Sequence, residues 1–380
     1  MKSQYNDEES VFHNHRLLLL HRPKGMPQTQ DFGWDTQVIS QLPPQPLGII
    51  VQTLYISIAP AMRGWMSAAP SYLPPVKLGC VMRASTIGRI VASNQPSKFP
   101  VGSIVRCEDG GVQTYSVIPK EMTKFVSLLD VSVLSSSQNN NNLISLSSFL
   151  GVLGTTGLTA YFGLLRVGKP NAGDTVLVSG AAGATGSVVC QIAKQILGCK
   201  VIGTAGSPEK CKWLEEHGIV DVAINYKLTA NSVKGYSKAI RDACSGGVNV
   251  VFDNVGGTFL EAALGNLARG ARIVLCGAIS QYNADSSTTT VTGPRNYMNL
   301  LVRRASMTGF VVFDYRKEYS LAIRDLSCWI QNGQLQHKED ITEGIINFYP
   351  ALMSLFQGTN QGKVLIRIKE ELSMPRRSKF

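Results

Sequence analysis

The chain has 380 residues, enough for two hydrophobic cores, and its 44% hydrophobic and 17% charged content is that of an ordinary globular enzyme. The net charge of +11 comes partly from tail clusters such as Arg376, Arg377 and Lys379. With no long basic block interleaved with aromatics it makes no case for nucleic-acid binding, whereas it suits an anionic cofactor. The eight cysteines include no C-x-x-C pair, and no secretory leader pattern opens the chain. They read as reduced, mostly buried thiols of a cytoplasmic protein.

From residue 1 to about 150, short strand-like runs alternate with Pro, Gly and Asn clusters: His15–His21, Gly48–Ser57, Ser85–Ala92, Ser103–Arg106 and Thr114–Ile118. That spacing predicts a compact β-rich domain. Ser135–Asn142 (SSSQNNNN) is low in complexity and is expected to form a mobile surface loop. From Val131 to Leu165 there is no charge, but Gly151, Gly154, Gly157 and Gly163 with several Ser and Thr interrupt the apolar part. This stretch reads as a packed loop and helix start, and the other strongly apolar runs are strand-length. No transmembrane span and no membrane partner are expected.

The stretch Thr175–Lys210 is strand, glycine turn, helix, strand and polar loop. Thr175–Ser179 suits a strand buried on both faces of a parallel sheet. The turn Gly180-Ala181-Ala182-Gly183-Ala184-Thr185-Gly186 has the A-x-G-x-x-G form of a dinucleotide-binding unit. There Gly183 would let the backbone approach a pyrophosphate, and Gly186 would let the next helix pack closely on its strand. That helix, about Ser187 to Leu197, carries Val188, Ile192 and Ile196 as an apolar stripe, and its N-terminus offers N–H groups to phosphate. Past the second strand, Lys200–Thr204, an NAD site would place an acid on the ribose 2′-hydroxyl. This chain has Ala205-Gly206-Ser207-Pro208, and Glu209 reads as a first-turn helix residue. The missing acid, with Lys210 following, points to NADP(H). The alternative reading of Lys210 is a solvated helix lysine.

The alternation continues through a helix to about His217, the strand Asp221–Tyr226, a helix near Val233–Cys244 and the strand Val248–Asp253. The Asn254–Gly257 turn, a helix Phe259–Leu267 and a strand Arg272–Cys276 follow. Such alternation predicts an α/β fold with a Rossmann-type doubly wound parallel sheet, whose ligands sit beyond the carboxyl ends of the strands. Asn254, Cys276 to Tyr282 and Phe310–Val312 would then surround one crevice. A helix near Phe348–Gln357 and a strand Val364–Lys369 are expected to return to the β-rich domain. The division expected is 1–150, 151–325 and 326–380.

These residues resemble the zinc-independent branch of the medium-chain dehydrogenase/reductase superfamily, that of prostaglandin reductases, alkenal double-bond reductases and curcumin reductases. The resemblance is carried by Arg22–Pro27 (RPKGMP), Met62–Met66 (MRGWM), Gly157–Gly163 (GLTAYFG), the AAGATGSVVCQIAK turn, Phe252–Gly257 (FDNVGG), Cys276–Asn283 (CGAISQYN) and Gly309–Val312 (GFVV). It implies a β-rich GroES-like catalytic domain clasping a Rossmann domain, and an oligomer, in the simplest case a homodimer. It also implies NADP(H) contacts at Thr159, Gly183, Ala184, Thr185, Gly186, Lys210, Tyr226, Asn254, Cys276, Gly277, Ala278, Ile279, Ser280, Phe310, Val311, Val312 and Asn360. Lys210 and Tyr226 would hold the 2′-phosphate, and Asn360 would close the cleft near the nicotinamide. Without the resemblance, Asn360 reads as a turn residue and Tyr226 as an ordinary strand-end tyrosine.

A catalytic zinc needs three Cys, His or acid ligands; here the five histidines lie outside the crevice stretches and the cysteines do not cluster. Polarising a carbonyl therefore falls to hydrogen-bond donors. The expected reaction is hydride transfer from NADPH to the β-carbon of an α,β-unsaturated ketone or aldehyde. Tyr282 and the nicotinamide ribose hydroxyl would stabilise the enolate. A loop tyrosine packing on cofactor is the alternative reading of Tyr282. Relatives usually read Ser-x-Asp-Pro-Tyr-Met-Arg where this chain has Ser57-Ile58-Ala59-Pro60-Ala61-Met62-Arg63, and Gly-Trp-Gln-Glu-Tyr where it has Gly111-Val112-Gln113-Thr114-Tyr115. Ala61 in place of a pocket tyrosine implies a larger, less polar pocket and a bulkier enone. Ketone/alcohol or quinone oxidoreduction on the same scaffold, or NADPH binding with little turnover, remain the competing functions. The C-terminal Ser378-Lys379-Phe380 is one residue from a peroxisomal Ser-Lys-Leu signal, and a basic tail is the simpler reading.

Overall fold

The computed structural model describes residues 11–368, except 41, 44, 47, 136–143, 230–231 and 285–292. Most of the SSSQNNNN run and the whole Ser-Lys-Phe tail lie outside the described residues. The β-rich part holds β1 (Val11–Leu19), β2 (Phe32–Ser40), β3 (Ile49–Ser57), β4 (Thr86–Ser93), β5 (Ile104–Cys107), β6 (Tyr115–Ile118) and β7 (Val126–Leu128). The parallel part holds β8 (Thr175–Val178), β9 (Lys200–Ala205), β10 (Val222–Asn225), β11 (Val248–Asp253), β12 (Leu267–Leu275) and β13 (Ser306–Gly309). After it, β14 (Glu339–Glu343) and β15 (Lys363–Arg367) join the first sheet, in the order β14-β15-β3-β4-β5-β7, with β6 also on β3.

The parallel sheet runs β10-β9-β8-β11-β12-β13. This is the doubly wound order, and the chain reverses direction across the sheet between β8 and β11. β8 is buried along its whole length, as a β-branched run covered by helices on both faces should be. One apolar cluster covers one face of the sheet through Val176, Val178, Val188, Val189 and Ile192 and reaches Ile87 and Leu365 of the β-rich part. The two lobes thus share a core. On the opposite face Leu177, Ile202, Val251 and Phe259 pack together. The β-rich part has its own interior, with Ile49, Val51, Ile90, Val105 and Cys107.

Several expectations shift in detail. The helix after the glycine turn starts at Ala184 and changes to wider π geometry at Ile192–Ile196. β12 begins at Leu267, earlier than its apolar run, because parallel pairing beside Val248 extends it through polar residues. β2, β13 and β14 were not foreseen; their burial is too mixed to print an alternating pattern. A helix Tyr319–Gln331, also unforeseen, runs across position 325 and packs Ala322, Leu326 and Ile330 on the parallel-sheet lobe. The chain's return to the first sheet therefore follows that helix.

Candidate active site

Beyond the carboxyl ends of β8 and β11 lies a continuous cavity of about 1110 Å³, walled by both lobes. Gly183, Ala184, Thr185 and Gly186 line it at the glycine turn. A Cβ on Gly186 would stand 2.3 Å from the Gly180 carbonyl oxygen, so only glycine lets this helix start fit against the turn. Gly183 precedes the helix with no side-chain cap, leaving the first amides aimed at the cavity without a side-chain acceptor.

At the end of β9, Ser207 caps the helix Pro208–Glu216 and Glu209 sits in its first turn, away from the role of a ribose-binding acid. Lys210 and Tyr226 both line the cavity here. The Tyr226 hydroxyl lies so close over Gly206 that a Cβ there would meet it at 2.7 Å. Lys210 Nζ donates to the Gly358 carbonyl at 2.6 Å and has no carboxylate partner among the described residues. Burial, then the neighbouring Lys227 charge, lowers its affinity for a proton. A half-buried ammonium and a phenol on the same cavity wall, with a second cation nearby and Asp340 acting on the lysine only at a distance, are a donor set suited to a phosphate dianion. The residues present fit a dinucleotide bearing a 2′-phosphate.

Asn254 lines the cavity beyond β11, and a buried pair sets the turn that carries it. Asp253 Oδ1 accepts from Ser179 Oγ (2.9 Å) and from the amides of Val255 and Gly256 (2.8 and 2.9 Å). Ser179 Oγ in turn accepts from the Asn254 amide at 2.8 Å. Burial raises the Asp253 carboxyl above its ordinary range, the two amides and Ser179 opposing it. Sequence reasoning missed this pair as positioning residues, although both lie inside motifs it quoted.

Cys276, Gly277, Ile279, Ser280 and Tyr282 line the cavity, as do Phe310, Val311, Val312, Thr159 and Asn360. Ala278 does not; its N–H donates to the Tyr282 hydroxyl oxygen at 3.1 Å. With its oxygen held this way, the phenol keeps its own O–H for an acceptor in the cavity. Burial raises the Tyr282 phenol above its ordinary value and pushes the Cys276 thiol up to about 12. At neutral pH both stay protonated. Arg63 anchors this loop: its guanidinium donates to Asn283 Oδ1 (3.1 Å) and to the carbonyls of Gly25 (2.9 Å) and Pro23 (3.2 Å). Three motifs far apart in the chain therefore meet on one arginine.

Asn360 Nδ2 donates to the Gly362 carbonyl (3.2 Å), and the Gly362 amide donates to the Ala182 carbonyl (3.0 Å), so the late segment is stitched onto the glycine turn. Beside it Lys363 is buried, donates to the Ile58 carbonyl at 2.6 Å, and burial lowers its pKa to about 7. The opposite end of the cavity includes Ala59, Ala61, Trp65, Tyr72, Met122, Phe125 and Phe313. Tyr72 and the arginines of that end were not anticipated, since no local pattern marks them. Among the described residues no group of three or more His, Cys, Asp or Glu could hold a metal ion, so the residues present do not fit a zinc site.

Two family models match the chain: the N-terminal domain of oxidoreductase over residues 15–126, and a domain described as zinc-binding dehydrogenase over 184–327. Prostaglandin reductase 1 of Bos taurus is 38% identical over 345 residues, spanning 90% of this chain and 95% of the relative. The NADPH-dependent curcumin reductase of Escherichia coli K12 is 34% identical over 360 residues, spanning 93% and 97%. The crystal structure of CurA from Vibrio vulnificus in complex with NADPH superposes with a TM-score of 0.81 at 34% identity, covering 94% of this chain and 99% of that one.

Proposed function

The chain belongs to the medium-chain dehydrogenase/reductase family, in the branch of NADP-dependent prostaglandin, alkenal and curcumin reductases, and from that membership we propose that it reduces the C=C bond of α,β-unsaturated ketones or aldehydes. One observation carries the reading: a half-buried phenol, Tyr282, whose oxygen already accepts a backbone N–H and whose hydrogen is left for a substrate carbonyl.

Bound NADPH supplies the hydride that adds to the β-carbon. The amides of Ala184 to Gly186 would hold the pyrophosphate, and Lys210 with Tyr226 would hold the 2′-phosphate. Asn254, Thr159, Cys276, Gly277, Ile279, Ser280 and Phe310 to Val312 would wall the nicotinamide end, and Asn360 would close it. Tyr282 donates to the carbonyl oxygen as negative charge gathers there. A preorganised donor in a dry cleft lowers the barrier because it needs no reorientation as the charge forms. A proton taken from solvent water by the α-carbon completes the saturated carbonyl. Ala59 and Ala61 at the far wall support a bulky substrate.

The test is NADPH oxidation against a panel of enones, enals, quinones and saturated ketones, with products weighed by mass spectrometry. A saturated carbonyl from an enone supports the reading, whereas an alcohol with its C=C intact, or quinol alone, overturns it.

We also propose a homodimer in the cytoplasm. Exposed Met298, Leu301 and Val302 lie on the helix Met298–Arg303 leading into β13, the last strand of the parallel sheet, and support association there. Eight free thiols suit a reducing compartment. A monomer mass at micromolar concentration would refute the dimer.

A further inference from the structure

Within β5, Val105 and Cys107 point into the β-rich interior, and Ile104 packs against the core shared with the parallel lobe. Side chains alternate along a strand, so Arg106 lies on the same face as Ile104, toward the other lobe, where it lines the cavity. Among the described residues, three arginines line that cavity. Arg316 is bound by Glu108 at 2.7 Å and lies over the rings of Phe313 and Phe125, with its carbon at 5.0 and 5.8 Å from their centroids. Arg83 reaches Asp109 at 3.3 Å and lies over Trp65 at 5.7 Å. Arg106 has neither: no hydrogen bond or ion pair reaches its side chain among the described residues, and its Nε is buried without a partner.

A guanidinium stays charged even where burial lowers its pKa, as it does here. The carboxylate that acts on it most strongly among the described residues, Glu108, is already bound to Arg316. A half-buried cation whose Nε is sealed from solvent without a partner is costly, and a ligand that brings an anion removes the cost. We propose that Arg106 is a specificity-determining residue that binds a carboxylate on the substrate, remote from its reacting C=C bond. The occupant is an unsaturated oxo acid, with the enone beside Tyr282 and the acid at Arg106. Between them, Tyr72, Phe313 and Phe125 offer an apolar wall, and Tyr72 lies against Phe313 with ring centroids 6.3 Å apart. A planar carboxylate matches the forked donors of a guanidinium, which a single-point cation would not. This rests on the enone-reductase reading.

The test uses a ladder of straight-chain 2-alkenals ending in a carboxylate, their methyl esters, and trimethylammonium-ended counterparts. At the best length the acid should exceed its ester in kcat/KM by roughly ten- to hundred-fold, the scale of a charge-assisted hydrogen bond. Arg106→Leu should erase that ratio by raising KM for the acid alone, Arg106→Lys should keep part of it, and Arg106→Glu should favour the ammonium-ended substrate. Acid and ester reduced equally well at every length would overturn the proposal, as would Arg106→Leu weakening both alike. If Arg106→Leu does not fold, the wild-type ratio and the lysine variant decide. If no alkenal is turned over, the reductase reading fails. Calorimetric titration of the saturated oxo acids into wild type and Arg106→Lys then judges Arg106, and equal binding of acid and ester rejects it.

Discussion

The two ends of the crevice are built on different principles. The nucleotide end is a contiguous strand, turn and helix whose groups are backbone amides and glycines, with Lys210 and Tyr226 added nearby. The end proposed for the substrate is assembled from Ala61, Tyr72, Phe125, Tyr282 and Phe313, side chains brought from distant parts of both lobes. A site made of backbone tolerates changes of side chain but no change of shape. A site made of side chains tolerates changes of shape and so can vary in specificity. The comparison predicts that substitutions at the first end act on nucleotide binding and stability, and those at the second on turnover and substrate choice.

The largest separation is expected at Tyr282. Tyr282→Phe should lower kcat for enone reduction by about 10²–10³, the usual scale for one oxyanion donor, while NADPH affinity by fluorescence titration stays unchanged. Unchanged kcat would remove the phenol from the chemistry. Because burial raises the Tyr282 phenol above its ordinary value of 10.0, the protonated donor persists through neutral pH. The rate should not fall through loss of this proton until the pH passes ~10.

Gly186→Ala drives a Cβ against the Gly180 carbonyl oxygen, which belongs to backbone and cannot swing aside. A loss of roughly 1–3 kcal/mol in denaturant unfolding is expected, together with weaker NADPH binding. Wild-type stability in that variant would contradict the shape argument. Lys210→Met should weaken NADPH roughly ten- to hundred-fold and leave NADH untouched, which direct titration of both nucleotides checks. A parallel loss for both nucleotides would assign Lys210 to general charge rather than to the 2′-phosphate. The smallest effect belongs to Ala61→Tyr. It should cut kcat/KM for bulky enones by roughly tenfold and spare short alkenals, a contrast that disappears if Tyr72 already fills that space.

What could be read from the amino-acid order follows the same divide. Local periodicity alone announced β8, β11 and the helix Phe348–Gln357, since each is an apolar run bounded by turn residues. The A-x-G-x-x-G turn and the absent acid after β9 pointed to the end proposed for the nucleotide, because the needed chemistry is backbone geometry encoded within some thirty residues. Asn360 and Tyr226 needed the family resemblance, having no local signature. Tertiary structure alone decided that Arg63 would gather Pro23, Gly25 and Asn283, that Ser179 and Asp253 would set the Asn254 turn, and that Arg106 would face the cavity without a carboxylate. Those are convergences of side chains far apart in sequence. Hydrophobic patterning specifies which face of an element is buried, but only the packed fold determines what that face meets.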